Sequence, residues 1–366
     1  MNATFLSILR SALHSGASDI HIKPDAPVIF RINRGLTPIE MPRPGEDWLS
    51  EVLSEIVPEH LKLRLEQEHE IDFALSVPQT GRFRVNLFKQ RGRYTLAMRT
   101  VKTSVRALKD LNLPPVVARI AEAPRGIVLI AGAIGSGKST TMAAMLEHIN
   151  TTSRKHIITL EDPIEYLFED KCSVIEQREV GLDTASFASG LRHVLRQDPD
   201  VLVIGEMRDA ESAAAAMTAA NIGHLVITTL HTADTTRSVQ RILEFFPSAE
   251  RDYARRLFAD TLHAVICQRL IPDVNESIVP AVEILINNLA VSKLISSDHS
   301  EKISGAIELG ANEGMQTFDH ALQELVRAGR ITKQKAIEHA ASPDGLRMLF
   351  QGVVHTETRR ILGSRD

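Results

Sequence analysis

Apolar and polar positions follow two different rhythms along this chain, and the change falls near residue 110. Before it, Phe5, Leu6, Leu9 and Leu13 recur at helical spacing until Gly16, and Ser18 to Ile22 then opens a strand. Residues 28–32 alternate weakly and 33–35 read as a turn. Leu49, Val52, Leu53 and Ile56 mark an amphipathic helix, and Leu61 and Leu65 place a second one after Pro58. Phe83, Val85 and Leu87 then alternate with Arg82, Arg84 and Asn86, and a strand from Tyr94 to Arg99 follows the turn signal at 90–93. This mixture predicts a smaller α+β domain over 1–112, joined by a proline- and glycine-punctuated linker at 113–125.

From Gly126 onward the rhythm is different. Short, mostly apolar runs at 127–131, 156–160, 201–204 and 225–230 are separated by helix-like stretches. Two of these are Phe187–Arg196 and the alanine-rich Ala210–Ala220, which Asp209 is placed to cap. Buried parallel strands linked by helices have this signature, so 126–366 is expected to be an α/β domain. Its tail reads as helical: Thr317 N-caps a face of Phe318, Leu322 and Leu325, Gly329 ends that helix, and Thr332 starts another.

Composition narrows the functional classes. The 366 residues carry a formal net charge of −4 and only 4% aromatics, which argues against a nucleic-acid track. Two distant cysteines, Cys172 and Cys267, form no metal module and fit a reducing compartment. The N-terminus does not read as a signal peptide and no run approaches the roughly 18 apolar residues of a membrane span, so no direct membrane insertion is expected.

The candidate chemistry starts at Gly132-x-x-x-x-Gly137-Lys138-Ser139, which follows the strand 127–131 and opens a helical segment. Glycines let successive N–H groups face one anion, and the helix N-terminus adds positive potential. Gly132, Gly135, Ser136, Gly137, Lys138, Ser139 and Thr140 are therefore the candidate nucleotide-binding residues, for ATP. Lys138 suits the β- and γ-phosphates, and the Ser139 hydroxyl suits Mg²⁺.

Three polar clusters fall at strand ends, two of them wholly at carboxyl ends, where parallel sheets bind ligands. Glu161-Asp162-Pro-Ile-Glu165 offers a carboxylate to orient or deprotonate water. Gly205-Glu206 resembles the second nucleotide motif of P-loop ATPases, an apolar strand ending in an acid. Glycine stands where that motif usually has its metal-organising aspartate, which leaves the job to Glu206, with Ser139 as the other metal-ligand candidate. His224 and His231 bracket 225–230; they stand too far apart to share a metal, and His231 lies at the end that can sense a γ-phosphate. Arg82 and Arg84 share a strand face and Arg99 ends the next strand, so any of them can neutralise charge on a transferred phosphoryl group. Arg192 and Arg196 make a second basic pair.

In order and spacing these motifs resemble the type IV pilus retraction ATPases, the PilT/PilU branch of the secretion-ATPase superfamily. The matching segments include 17–21, 81–86, 132–140, 158–166, 177–180, 195–200, 205–209, 223–224, 229–231 and 314–319. The resemblance implies a PAS-like first domain, a RecA-like P-loop second domain and a cytoplasmic homo-hexamer that hydrolyses ATP with Mg²⁺. It places the catalytic glutamate on Glu165, the Walker B glutamate on Glu206, the family histidines on His224 and His231, and the arginines that reach the nucleotide on Arg82, Arg84 and Arg99. Such a motor powers pilus retraction and twitching motility, docked at the inner face of the inner membrane on a platform protein, in some cases beside a paralogous retraction ATPase. Ala133-Ile134 replaces the usual Pro-Thr, and 288–295 lacks the arginines of the retraction-linked helix. The 177–183 run and the 346–350 tail look closer to PilU, which makes an accessory motor the expectation. A pilus-extension or type II secretion ATPase is the alternative, but those carry a four-cysteine module absent from this sequence; a non-hydrolysing ring subunit is the other.

Overall fold

The computed structural model describes residues 1–33, 35–102, 104–275 and 277–351; the centre of the 33–35 turn and the end of the 126–366 domain lie outside the described residues. The chain forms two compact units. The first comprises Met1–Ser104 together with Pro163–Leu167, and the second comprises Val105–Asp162 and the chain from Phe168 onward.

In the first unit, α1 (Ala3–His14) leads into β1 (Asp19–Ile22), β2 (Ile29–Ile32) and β3 (Gly35–Pro38). Helices α2 (Glu46–Ile56) and α3 (Glu59–Glu68) follow, then β4 (Glu70–Val77), β5 (Gly81–Gln90) and β6 (Arg93–Thr100). The six strands make one antiparallel sheet in the order β3-β2-β1-β6-β5-β4. Period-two alternation divides its faces. Ile20, Ile22, Phe83, Val85, Leu87, Leu96 and Met98 share a buried core with Phe5 and Leu9 of α1 and Leu49 and Val52 of α2. The opposite face carries Asp19, His21, Asp72, Arg84, Asn86 and Arg99 around a cavity.

The second unit starts with α4 (Val116–Ala121), β7 (Gly126–Ala131), α5 (Lys138–Thr152), β8 (His156–Glu161) and β9 (Val174–Glu179). It continues through α6 (Phe187–Val194), β10 (Val201–Ile204), α7 (Ala210–Asn221), β11 (Leu225–Leu230), α8 (Thr235–Glu244) and α9 (Arg251–Thr261). Strands β12 (Leu262–Pro272) and β13 (Ile278–Ile286) come next, then α10 (Leu289–Ser296), α11 (Ile303–Leu309), α12 (Phe318–Arg327), α13 (Lys333–His339) and α14 (Pro343–Phe350). The sheet order is β13-β12-β7-β11-β10-β8-β9, parallel except for the β12–β13 pair. Every residue of β7, β10 and β11 is buried, because helices cover both faces. Ile127 and Leu129 pack into the core shared with α7 and α9, while Val128 and Ile130 face that shared with α4 and α5.

The stretch expected as a linker, 113–125, packs inside this second unit. Val116, Val117, Ile120 and Ala121 on α4 are buried against β7 and α5, so the chain divides after Ser104. Asp209, Thr317 and Thr332 each cap a helix by accepting a hydrogen bond from the backbone N–H three residues on.

Candidate functional site

Strand β7 lies in the interior of its sheet, between β12 and β11, and the 132–137 loop turns its backbone sharply into α5. Gly132 and Gly137 hold φ of 150° and 90°. A Cβ on Gly132 would stand 2.5 Å from the main-chain oxygen of Gln268, so that position excludes a side chain on steric and conformational grounds. One on Gly137 would stand 2.7 Å from Gln268 Nε2, and there the left-handed φ is the main constraint. Lys138 is only 8% exposed, and its Nζ donates to Gly132 O at 2.9 Å and Ala133 O at 3.0 Å. Ser136 Oγ is buried without a hydrogen-bond partner, a polar atom aimed within the loop. Curled backbone, lysine and orphaned hydroxyl together fit a polyphosphate.

Two neighbouring strand ends complete this cluster. Thr229 Oγ1 on β11 donates to Gly205 O at 2.6 Å, which ties the end of β11 to the residue following β10. His231, just past β11, places Nδ1 3.4 Å from Lys138 Nζ and Nε2 3.5 Å from a carboxylate oxygen of Glu206. Arg208 pairs with the other carboxylate oxygen. Burial, with Lys138 and Arg208 nearby, lowers the His231 pKa below its usual value and keeps the ring neutral near pH 7. Gly205 has a steric reason to be glycine: a Cβ there would stand 3.3 Å from Leu160 O. Ser139 opens α5 and Glu206 follows β10; a hydroxyl and a carboxylate are donor types that Mg²⁺ takes, with phosphate oxygens and water completing its shell.

The acidic box divides between the units. Glu161 is buried and accepts hydrogen bonds from Thr159 Oγ1 at 2.7 Å and Gln177 Nε2 at 3.1 Å, so its carboxylate is engaged in holding β8 to β9. Glu165 is exposed and belongs with the first unit. There Lys102 N donates to Glu165 O, and Leu167 N donates to Lys102 O at 2.9 Å. Arg84, Arg99, Lys102, Glu165 and Tyr166 line a cavity of about 550 Å³ within that unit. Register explains the arginines: Arg84 lies opposite Arg99, Arg99 opposite Asp19, and Asp19 opposite Arg31, in one row across β5, β6, β1 and β2. Burial alone would raise the Asp19 carboxyl, but hydrogen bonds from Ser18 and Arg99 and the charges of Arg99 and Arg31 bring it below its usual pKa.

The structure thus gathers Lys138, Ser136, His231 and Glu206 in the second unit, and Glu165, Arg84 and Arg99 in the first. Arg82 is not among the residues lining the cavity, His224 stands at the opposite end of β11 from His231, and Arg192 pairs with Glu211 of α7. Sequence reasoning gave no part to Arg208, Lys102 or Gln177. Arg208 is two residues beyond Glu206 in a motif already recognised, whereas Lys102 has no sequence signal.

Comparison with known proteins agrees with this arrangement. Residues 2–358 match the family model for type II/IV secretion system proteins. The chain is 38% identical over 337 residues to the type IV pilus retraction ATPase PilT of Pseudomonas aeruginosa, covering 92% of this chain and 98% of that one. It is 35% identical over 348 residues to the type IV pilus ATPase PilU of the same organism, covering 95% and 91%. Identity over the whole chain therefore does not carry the lean toward PilU seen in single motifs. A crystal structure of the pilus retraction motor PilT with bound ADP superposes with a TM-score of 0.86 at 39% identity, covering 93% of this chain and 97% of that one. With an α/β P-loop domain preceded by a smaller α+β domain, the chain belongs to the type II/IV secretion system protein family.

Proposed function

We propose that this chain is an ATP-hydrolysing motor of type IV pilus retraction, active as a homo-hexamer at the cytoplasmic face of the inner membrane. The observation that carries this reading is the array Glu206–His231–Lys138 meeting at a glycine-locked phosphate loop. High-coverage similarity to a pilus retraction ATPase supports the biological role. No helix among the described residues is long and apolar enough to cross a membrane, so the reading assigns membrane attachment to docking on a platform protein.

The chain's own residues divide the work. Loop N–H groups and the α5 N-terminus hold the phosphates, and Lys138 exchanges its carbonyl partners for phosphate oxygens. Ser139 and Glu206 would hold Mg²⁺, which would neutralise charge on the phosphates. Neutral His231 relays the position of Lys138 to Glu206 through its two ring nitrogens. Glu165 orients and deprotonates the attacking water, and Arg84 and Arg99 stabilise charge on the transferred phosphoryl group.

Purified protein should hydrolyse ATP in a Mg²⁺-dependent manner and run as a hexamer by light scattering with ATP. A strain lacking the gene should retain pili but retract them weakly or not at all. A monomer without turnover, or normal retraction in the deletion strain, would refute the proposal.

A further inference from the structure

Gln268, in the middle of β12, has no part in the chemistry above, yet its side chain is buried beneath the phosphate loop. Its Oε1 accepts a hydrogen bond from Thr141 Oγ1 at 2.7 Å, with both residues buried. Its Nε2 lies 2.7 Å from the position of a Cβ on Gly137, and its main-chain oxygen lies 2.5 Å from that of a Cβ on Gly132. One residue therefore closes against the first glycine of the loop, the last glycine of the loop and the first turn of α5.

Its strand neighbours reach the other side of the same site. Cys267 Sγ contacts Ser238 Oγ at 3.4 Å, and Ser238 Oγ shares a 2.6 Å hydrogen bond with Thr232 Oγ1. Arg269 donates to Ala233 O at 3.3 Å. Thr232 and Ala233 follow His231 directly, so Arg269 reaches the histidine loop directly and Cys267 reaches it through Ser238 of α8, while Gln268 between them meets the phosphate loop.

We propose that Gln268 is a positioning residue for the phosphate loop. A loop with glycines at 132, 135 and 137 has much backbone freedom, and converging its N–H groups on an anion requires that freedom to be removed. Lys138 and Thr141 lie three apart on α5, on one side of the helix. Holding Thr141 from below sets the rotation of that turn, and with it the direction in which Lys138 leaves the helix. Gln268 touches no phosphate itself; it acts through Thr141 and Gly137.

The inference rests on the loop binding ATP, and the test separates the two. Gln268→Met keeps length and apolar volume but removes the acceptor, and Thr141→Val removes the same hydrogen bond from the other partner. With full-length protein, mant-ADP and excess Mg²⁺, each single variant should bind about tenfold more weakly, the order of one lost buried hydrogen bond. The double variant should be no weaker than the worse single, because both act through one contact, whereas independent effects would multiply to roughly a hundredfold. If Gln268→Met does not fold, Thr141→Val alone must still weaken binding about tenfold. Singles that bind like wild type while melting earlier, or a double that loses the full product, overturn the inference alone. A wild-type chain that captures no nucleotide overturns both it and the proposed function.

Discussion

The cations of the two units are held in opposite ways. Lys138 is nearly sealed from water and pinned by main-chain oxygens, whereas the Arg99 and Arg84 side chains are 67% and 45% exposed and lean on Asp19 and Asp72 at the surface. A buried cation interacts strongly but tolerates little displacement, so its surroundings must be built before the ligand arrives. Exposed guanidiniums are screened by water and salt and can be redirected at small cost. The second unit thus presents a fixed receptor for phosphate, and the first supplies adjustable charge beside an exposed carboxylate.

The largest effect should come from breaking the fixed receptor. Lys138→Ala is expected to abolish ATP turnover and to weaken nucleotide binding strongly, measured by phosphate release and mant-ADP titration. Unchanged hydrolysis would remove the contrast altogether. Next, Glu165→Gln should lower turnover by roughly 10²–10⁴-fold while ATP binds as in wild type. If that variant hydrolyses normally, the base lies elsewhere and the first unit's cavity is only a charged surface.

Arg84→Ala and Arg99→Ala sharpen the comparison, since the two face each other across β5 and β6. Either partly replaces the other, so each alone should reduce turnover by roughly tenfold with ADP affinity intact, and the defect should deepen with added salt. Equal loss of ADP and ATP binding would place them outside the reaction. Glu206→Gln should raise the Mg²⁺ concentration for half-maximal activity several-fold, by about the value of one charged ligand.

The smallest effect concerns stability. Burial lowers the pKa of His263 at the start of β12, so the unfolded chain takes up a proton more readily than the folded one. Its contribution is therefore complete above the ordinary histidine pKa and is lost as pH falls through that value toward the depressed one. Melting temperature should drop on acidification below about pH 6.5, and His263→Gln should flatten part of that drop.

The fixed receptor was far more legible in the sequence than the adjustable one. Glycines, lysine and the flanking strand and helix all sit in one continuous run from Gly126 to Thr152, and local chemistry dictates their geometry. The caps Asp209, Thr317 and Thr332 were readable for the same reason. Strand β9 was not, because Val174–Glu179 carries Glu176, Arg178 and Glu179 on an edge paired only to β8. Strands β12 and β13 fall on 262–286, a stretch in which the sequence pattern predicts no element, and with them Gln268 went unseen. Arg99 and Glu165 could be named individually, but their shared cavity depends on strand register and on a segment leaving its own unit, which no local pattern encodes.

That segment, Pro163–Leu167, limits how the protein can be divided. Its backbone pairs with Lys102 through Glu165 O and Leu167 N, although it is encoded some sixty residues downstream of that partner. A fragment stopping at Ser104 would leave Lys102 without these partners and would lack the carboxylate of its own cavity. Exchanging the first hundred residues between relatives would likewise pair one protein's strand edge with another's insert. The first unit is therefore written in two separate stretches of the sequence, and an exchange of that unit has to carry both.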